Sequence, residues 1–370
     1  MSNHLDKVLM HRALKLALRG RGMVSPNPRV GAVISTPAGE ILGEGFHDYF
    51  GGPHAEVVAL NACRDVSTRG ATLYVSLEPC CFHGKTPACS DVIIRAGIGR
   101  VVAATGDPNP RVNGCGFEAL KRAGIEVEIG VLQSEARHLN RGYFSLRERG
   151  RAWCAVKVAL SLDGKMAAPD GQSKWITGIE ARKLAHALRA DHDAVMVGSG
   201  TVERDDPELT VRHVRGISPT RLILAPRSGI PPDSKLAKTA SQLQTILVVA
   251  GNHLPSGSDM GCIGLLKLTD RGDGQIDPLE FLKELPEIGI LSVLIEGGSG
   301  VLSSFMQADL IDEISIGIAP SVVGQGISPF ERFLPPSWDG RPRYCISCIK
   351  RYGEDVVITF NRPDYLCSQD

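Results

Sequence analysis

Three things are scarce in this chain of 370 residues, and each absence narrows what it can be. The first is net charge: 41 basic residues balance 41 acidic ones. A protein that neutralises a nucleic-acid backbone needs a basic face, so a zero balance without a basic aromatic stripe argues against nucleic acid as the main partner. The second is a long apolar run. None approaches the ~20 residues that span a bilayer. Residues 1–19 mix His4, Asp6, Lys7, His11 and Arg12 into their apolar pattern, unlike a signal peptide. No membrane partner and a cytoplasmic location are therefore expected. The third is a disulfide framework. Ten cysteines are too few for one in a chain of this length, so they are expected as reduced thiols, some of them metal ligands.

What is present suits a globular protein with two cores: 43% apolar residues, 22% charged, no internal repeat and no low-complexity segment. The patterning predicts α/β structure throughout. Helices are expected over 5–18, from near His54 to 63, over 89–96 and 117–122, and as one charged helix over 134–149. Strands are expected over 30–34, 41–46, 71–77, 100–105 and 125–129. Arg147-Glu148-Arg149-Gly150-Arg151 reads as a linker, dividing the chain into domains 1–149 and 150–370. Beyond it, strands are expected at 153–160, 193–198, 220–225, 244–250, 291–296 and 311–319, with a β tail at 344–349 and 356–360. Helices are expected at 178–190, 276–285 and 299–308. Residues 226–242 and 251–275, rich in Pro, Gly, Ser and Asp, read as surface loops.

The chemistry-bearing stretch is His54-Ala55-Glu56, read with Pro79-Cys80 and Cys89. A catalytic zinc keeps three protein ligands and one open position. One imidazole and two thiolates would supply the three, and a helix start at Cys89 favours a thiolate. Glu56, two residues from His54, is placed to move a proton without ligating the metal. A lone His or Cys carries little weight, because core packing accounts for most of them. The combination carries more. His-Ala-Glu opening a helix, Glu-Pro-Cys closing a strand and a Cys opening the next helix follow the zinc-deaminase pattern, H-x-E then P-C-x-x-C. Eight residues rather than two separate these cysteines, and Cys81 is a rival ligand.

Asn27-Pro28-Arg29-Val30-Gly31-Ala32-Val33, His54-Ala55-Glu56, Glu78-Pro79-Cys80, His83-Gly84-Lys85-Thr86-Pro87-Ala88-Cys89 and Asp107-Pro108-Asn109-Pro110 resemble the bifunctional deaminase/reductase family of riboflavin biosynthesis. The wide cysteine spacing is typical of that family, and the resemblance covers nearly the whole chain. It implies an N-terminal cytidine-deaminase-like α/β/α domain followed by a dihydrofolate-reductase-like α/β domain. It implies hydrolytic deamination of a diaminopyrimidinone carrying a phosphoribosylamino group, with Zn2+ on His54, Cys80 and Cys89 and with Glu56 as proton shuttle. Asn27, His47, Lys85, Asp107 and Asn109 match positions lining that pocket, Lys85 as a phosphate partner. Turn chemistry between prolines is the competing account of Asn27 and Asn109. One departure stands out: the family's Cys-Ser-His is Cys80-Cys81-Phe82 here, which removes a polar contact.

No G-x-G-x-x-G follows a strand in the second half, so an ordinary Rossmann site is not indicated. Val293-Leu294-Ile295-Glu296-Gly297-Gly298-Ser299-Gly300 is a strand, then glycines, then a helix. Such a turn can hold a phosphate, or can simply be tight. Lys157, Ser161-Leu162-Asp163-Gly164-Lys165, Ser173-Lys174-Trp175-Ile176-Thr177, Arg189 and Thr201-Val202-Glu203-Arg204-Asp205-Asp206-Pro207 resemble the reductase half of the same family. The resemblance implies NADPH beside Ala159, Trp175, Thr201, Asp205, Gly298, Ser299, Gly300, Val301, Leu302, Ser303 and Ser304. It implies substrate at Ser173, Arg189, Leu209, Arg212 and Glu296, with Lys157 and Glu296 positioning or protonating the sugar. Ala225-Pro226 replaces a pair the family often places after its strand, which puts a cofactor contact in question. Cys345-Ile346-Ser347-Cys348, on a predicted strand without a second cysteine pair nearby, reads as two structural thiols.

The expected enzyme is thus bifunctional, with a small phosphorylated pyrimidine and further copies of the same chain as partners. A deaminase whose second half no longer reduces is the alternative. A nucleic-acid-editing deaminase is a second, disfavoured by the charge balance.

Overall fold

The computed structural model describes residues 4–64, 66–82, 87–224, 230–251, 261–272 and 274–363. The chain forms two compact units, Met1–Gly150 and Arg151–Asp370. No described helix is long and apolar enough to cross a membrane.

Five strands build the first unit: β1 (Gly31–Ser35), β2 (Ile41–Phe46), β3 (Thr72–Val75), β4 (Arg100–Ala103) and β5 (Glu126–Ile129). They form one sheet in the order β2-β1-β3-β4-β5, antiparallel at β2-β1 and β1-β3 and parallel beyond. Ala32, Val33, Ile34, Leu73 and Val75 are wholly buried, as a run of apolar residues in a strand covered on both faces must be. Helix His4–Ala17 covers one face, its Leu9, Met10, Ala13 and Leu14 meeting Val33, Tyr74 and Val102. On the other face Ala55, Ala59, Ile93, Phe117 and Leu120, from three helices, pack on Ala32, Ile34, Leu73, Val75 and Val101. Helix Ala55–Ala62 lies so close to β2 that a Cβ on Gly45 would sit 2.4 Å from the Ala59 nitrogen. Only glycine permits that approach, which sets where His54 and Glu56 stand.

The expected helix over 134–149 is two, Gln133–Leu139 and Arg141–Arg149. Asn140 leaves helical geometry between them (φ −108°, ψ 24°), and its side-chain amide binds the Arg29 backbone both ways: the Arg29 N–H donates to Oδ1 at 2.8 Å, and Nδ2 donates to the Arg29 carbonyl at 2.9 Å. That pair holds the Asn27-Pro28-Arg29 loop against the unit.

Nine strands build the second unit: β6 (Trp153–Leu160), β7 (Ala194–Gly198), β8 (Thr220–Leu224), β9 (Thr245–Ala250), β10 (Gly264–Leu268), β11 (Ser292–Ile295), β12 (Glu313–Ile318), β13 (Cys345–Tyr352) and β14 (Asp355–Asn361). Their order is β10-β9-β8-β7-β11-β6-β12-β14-β13, parallel from β10 to β12 and closed by the antiparallel β14-β13 hairpin. β10 and the helix Ser199–Asp205 lie where no regular element was expected. At the head of β6, Arg151 grips Asp312 with two hydrogen bonds of 2.8 and 2.7 Å, both side chains buried. Along β6 alternation decides function. Cys154, Val156 and Val158 enter the main core. Trp153, Ala155, Lys157 and Ala159 take the opposite side, where Leu188 of helix Ile179–Asp191 packs on Trp153 and Ala155.

Candidate active sites

In the first unit the ligand candidates sit at element ends. His54 is the residue before helix Ala55–Ala62, and Cys89 opens helix Cys89–Arg95. Cys80 follows β3 by five residues and receives the Cys89 N–H on its sulfur at 3.3 Å. His54 Nδ1 lies 3.2 Å from Cys89 Sγ and 3.6 Å from Cys80 Sγ, and the three candidate ligand atoms lie within 4.8 Å of one another. Tetrahedral zinc at ~2.3 Å from sulfur and ~2.0 Å from nitrogen asks for ligand edges of about 3.5–3.8 Å. The donor set therefore fits zinc in type and in spacing. Cys81 turns away, its thiol donating to the Arg111 carbonyl at 3.5 Å, and it stands outside the cluster.

The cluster's electrostatics follow from crowding. A hydrogen bond from Cys89 holds the Cys80 thiol down at about 4, while the same bond, with burial, drives Cys89 up. The pair thus shares one proton, which a metal would displace. The hydrogen bond to Cys80 raises His54. Glu56 is buried in the first helical turn, and burial lifts its carboxyl to about 7. An acid poised there can take and return a proton near neutral pH.

Next to the cluster stands His47, which holds Asn27, while Asp107 and Asn109 lie on a loop tied to Glu78. His47 is buried, its ring edge-on to His54 at 5.7 Å, and burial lowers its pKa. Its Nδ1 donates to the Pro53 carbonyl at 3.0 Å, so the neutral ring accepts at Nε2 from Asn27 Nδ2, 3.2 Å away. Asp107 Oδ1 accepts from the Asn109 N–H at 2.8 Å and the Tyr143 hydroxyl at 2.9 Å. Asn109 Oδ1 accepts from the Arg111 N–H at 3.2 Å, the turn chemistry that its sequence context offered as the rival account. Lys85 lies outside the described residues. Phe82, the departure from the family pattern, lies under the Arg111 guanidinium, 4.5 Å from its ring centre.

Two residues of this site escaped the sequence reading. Glu78, just before Pro79-Cys80, is buried and accepts from the N–H groups of Asp107, Gly114, Gly116 and Phe117 at 3.2, 3.0, 2.9 and 3.4 Å. It ties the ligand loop to the 107–114 loop and to the start of helix Cys115–Arg122. Its place in the Glu-Pro-Cys string was the available signal. Tyr143 had none.

In the second unit Lys157 and Ala159 line a cleft with Thr177, Ala181, Ala185 and Ser315. Burial lowers the Lys157 pKa, opposed by Glu296. Glu296 itself is claimed by Arg189, whose Nε and Nη2 donate to its two oxygens at 2.6 Å each. Burial would raise Glu296, but Arg189 and Lys157 outweigh it and hold the carboxyl below its ordinary range. Arg189 and Glu296, both implied as substrate contacts, thus spend much of their bonding capacity on each other.

The glycine turn after β11 has both residues at positive φ, Gly297 at 147° and Gly298 at 59°, and it delivers the chain to helix Ser299–Gln307. Thr201 Oγ1 is 3.7 Å from where a Cβ on either glycine would stand, so the structure does bring Thr201 to this turn. Free N–H groups at that helix start suit a phosphate. Further along, Leu302 is in the core and Ser303 Oγ accepts from the Arg332 N–H at 3.2 Å, so these two side chains face inward rather than toward a cofactor. Leu209 is likewise buried, packed with Val197, Val202 and Ile223, which leaves only its backbone for a ligand. The Lys174 ammonium donates to the Asp205 carbonyl at 3.1 Å, joining the 173–175 segment to Asp205. Trp175 is exposed with the Arg182 guanidinium 4.2 Å over its ring. Arg212 pairs with Glu208 at 2.5 Å. Ala225-Pro226 lies outside the described residues. Cys345 and Cys348 lie on β13 and join no metal cluster among the described residues.

Two family models match the chain. Residues 3–105 match the cytidine and deoxycytidylate deaminase zinc-binding region, and residues 152–358 match the RibD C-terminal domain. The riboflavin biosynthesis protein RibD of Aquifex aeolicus is 41% identical over 366 residues, covering 98% of this chain and 100% of its own. That of Bacillus amyloliquefaciens is 39% identical over 360 residues, covering 96% of each. The solved structure of a diaminohydroxyphosphoribosylaminopyrimidine deaminase and 5-amino-6-(5-phosphoribosylamino)uracil reductase from Thermotoga maritima superposes with a TM-score of 0.86 at 36% identity, over 97% of this chain and 99% of that one. Acinetobacter baumannii RibD does so with a TM-score of 0.82, also at 36% identity, over 96% and 98%.

Proposed function

The chain belongs to the RibD family of bifunctional riboflavin-biosynthesis enzymes, and from that premise we propose how its residues divide the work. It joins a zinc-dependent, cytidine-deaminase-like deaminase to an NADPH-dependent reductase of dihydrofolate-reductase-like fold.

In the deaminase, His54, Cys80 and Cys89 hold the zinc. The metal, when bound, supplies the Lewis acid that makes water nucleophilic at neutral pH. Glu56 carries the proton. Its carboxylate takes one as water adds to the amino-bearing carbon and returns it to the departing nitrogen, so that ammonia leaves and a carbonyl forms. Asn27, His47, Asp107, Asn109 and Lys85 orient a phosphoribosylamino-pyrimidinone. The carboxamide and carboxylate oxygens among them suit its amino groups, and Lys85 suits its phosphate.

In the reductase, the N–H groups of residues 298–301 take a cofactor phosphate, with Thr201, Asp205, Ala159 and Trp175 along the rest of NADPH. The cofactor, when bound, supplies hydride. Lys157 Nζ supplies the proton that ring opening of the ribosyl group requires, and Glu296 with Arg189 fixes where that ammonium stands. Ser173, the Leu209 backbone and Arg212 hold the substrate, Arg212 at its phosphate. The working enzyme is read as a cytoplasmic homo-oligomer acting on a free small molecule, with neither nucleic acid nor membrane as partner.

The observation that carries the deaminase reading is the convergence of His54, Cys80 and Cys89 beside the buried carboxyl of Glu56. Glu56→Gln tests it. Ammonia release should fall by roughly 10²–10⁴-fold, with zinc content retained and NADPH still oxidised on pre-deaminated substrate. Ammonia release close to wild type would remove Glu56 from the mechanism.

A further inference from the structure

Helix Ile179–Asp191 offers two donors, one turn apart, to a single backbone oxygen. His186 Nδ1 lies 2.9 Å from the Thr210 carbonyl, and Arg189 Nη1 donates to that same oxygen at 2.9 Å. His186 is buried, and burial, then the charge of Arg189, keeps its pKa below the ordinary imidazole value. The ring is therefore neutral. The Arg212 N–H also aims at that nitrogen, at 3.4 Å; the shorter contact, to an oxygen that can only accept, puts the ring's proton on Nδ1. The ring of His213 closes over His186 edge-on, 4.7 Å between centroids.

The N-terminal part of the segment so gripped has holds of its own: Asp206 Oδ1 accepts from the Lys235 N–H at 2.8 Å, and the Glu208 carbonyl accepts from Arg221 Nη1 at 3.4 Å. Asp206 and Leu209 adopt φ of 41° and 54°, a region non-glycine residues rarely occupy without support. Leu209 is anchored by its buried side chain, and the Val211 N–H is taken by Ser218 Oγ at 3.1 Å. Between those anchors lies the Thr210 peptide, whose carbonyl the two donors hold, two residues before Arg212, whose side chain pairs with Glu208. Arg189 ties the same oxygen to Glu296, so the two donors connect the 206–212 segment with the Arg189–Glu296 pair.

We propose that His186 is a positioning residue for the reduction: acting through the Thr210 carbonyl, it sets the segment that presents Arg212 to the substrate's phosphate. It touches neither substrate nor cofactor. The inference rests on the reading of Arg212 as a substrate contact. It predicts an effect on substrate affinity more than on turnover, because the group it serves binds the non-reacting end.

The test is steady-state reduction of pre-deaminated substrate by full-length enzyme. His186→Ala should raise KM for that substrate about tenfold, with kcat changed by less than about threefold, the loss expected for one hydrogen bond realised in binding. NADPH affinity, read by cofactor fluorescence, and ammonia release should match wild type. His186→Asn or His186→Gln, which restore a neutral N–H donor, should recover most of the KM. Loss of NADPH affinity and melting temperature together, with no rescue by either amide, would reduce His186 to a general packing role and overturn the proposal. Arg212→Ala separates the two levels. A raised KM there beside an unchanged KM in His186→Ala would sink the latch alone. An unchanged KM in Arg212→Ala would remove the premise, and the latch with it.

Discussion

The two units anchor their sites by different devices. In the first, one carboxylate, Glu78, gathers four backbone N–H groups from the 107–117 region, and one carboxamide, Asn140, clasps the backbone of Arg29. In the second, backbone bonds such as those of His186 and Arg189 to the Thr210 carbonyl are joined by side chain gripping side chain: Arg151 with Asp312 and Arg189 with Glu296, each by two hydrogen bonds. The difference follows from what each site must hold. A metal needs a few ligand atoms at fixed loop positions, so the supporting groups brace backbone. A cleft over a parallel sheet is assembled from strands far apart in sequence, so its supports reach between elements. Bonds to backbone brace loops locally. Paired charges make each partner depend on the other, and removing one leaves a buried charge unmatched.

The largest test of this contrast is Asp312→Asn. Leaving buried Arg151 without its counter-charge should cost about 3–5 kcal/mol. All three tryptophans, Trp153, Trp175 and Trp338, belong to the second unit, so tryptophan fluorescence during denaturation reports that unit alone. Its midpoint should drop while the denaturant concentration that releases zinc stays put. If both move together, the units do not unfold separately and the contrast fails. A smaller effect is expected from Glu78→Gln. The amide keeps one acceptor oxygen but loses the charge that strengthens four N–H bonds, a loss of about 2 kcal/mol. Zinc should leave at lower denaturant and the deaminase KM should rise, with the tryptophan transition unmoved. An unchanged KM would reduce Glu78 to a scaffold residue with no bearing on the pocket.

The same contrast decides which features the amino-acid sequence displays. The clustering of His54, Cys80 and Cys89 was legible because a zinc donor set tolerates few residue types and recurs at set spacings. Glu78 sat in the same string, yet its partners are backbone groups some thirty residues away, which no pattern announces. Asn140 looked like one more polar residue on a charged helix, and its helix-breaking bond depends on Arg29, 111 positions earlier. β10 went unread because Gly264–Leu268 is an edge strand with mostly exposed side chains, set in a polar stretch. In the second unit the resemblance named positions rather than atoms. Leu302 and Ser303 follow the glycine turn and Leu209 lies in the 206–212 segment, but all three side chains are packed inward. His186 carried no signal, since an apolar-face histidine on a helix usually means packing.

The finest test concerns pH and the Arg189–Glu296 pair. Glu296 is held below its ordinary range although burial alone would raise it, because Arg189 and Lys157 favour the carboxylate. A carboxyl depressed in the folded state binds fewer protons there than in the unfolded chain. Its stabilisation is therefore complete above the unfolded value, about 4.3, and is lost as pH falls through the folded one. Wild type should exceed Glu296→Gln in stability at pH 7, and the gap should narrow as the pH drops from about 4.5 toward 3. Tryptophan-monitored denaturation at each pH reads it directly. A gap between wild type and Glu296→Gln that stays constant down to pH 3 would mean that Arg189 does not control that carboxyl, and that the second unit's site is held by packing rather than by paired charge.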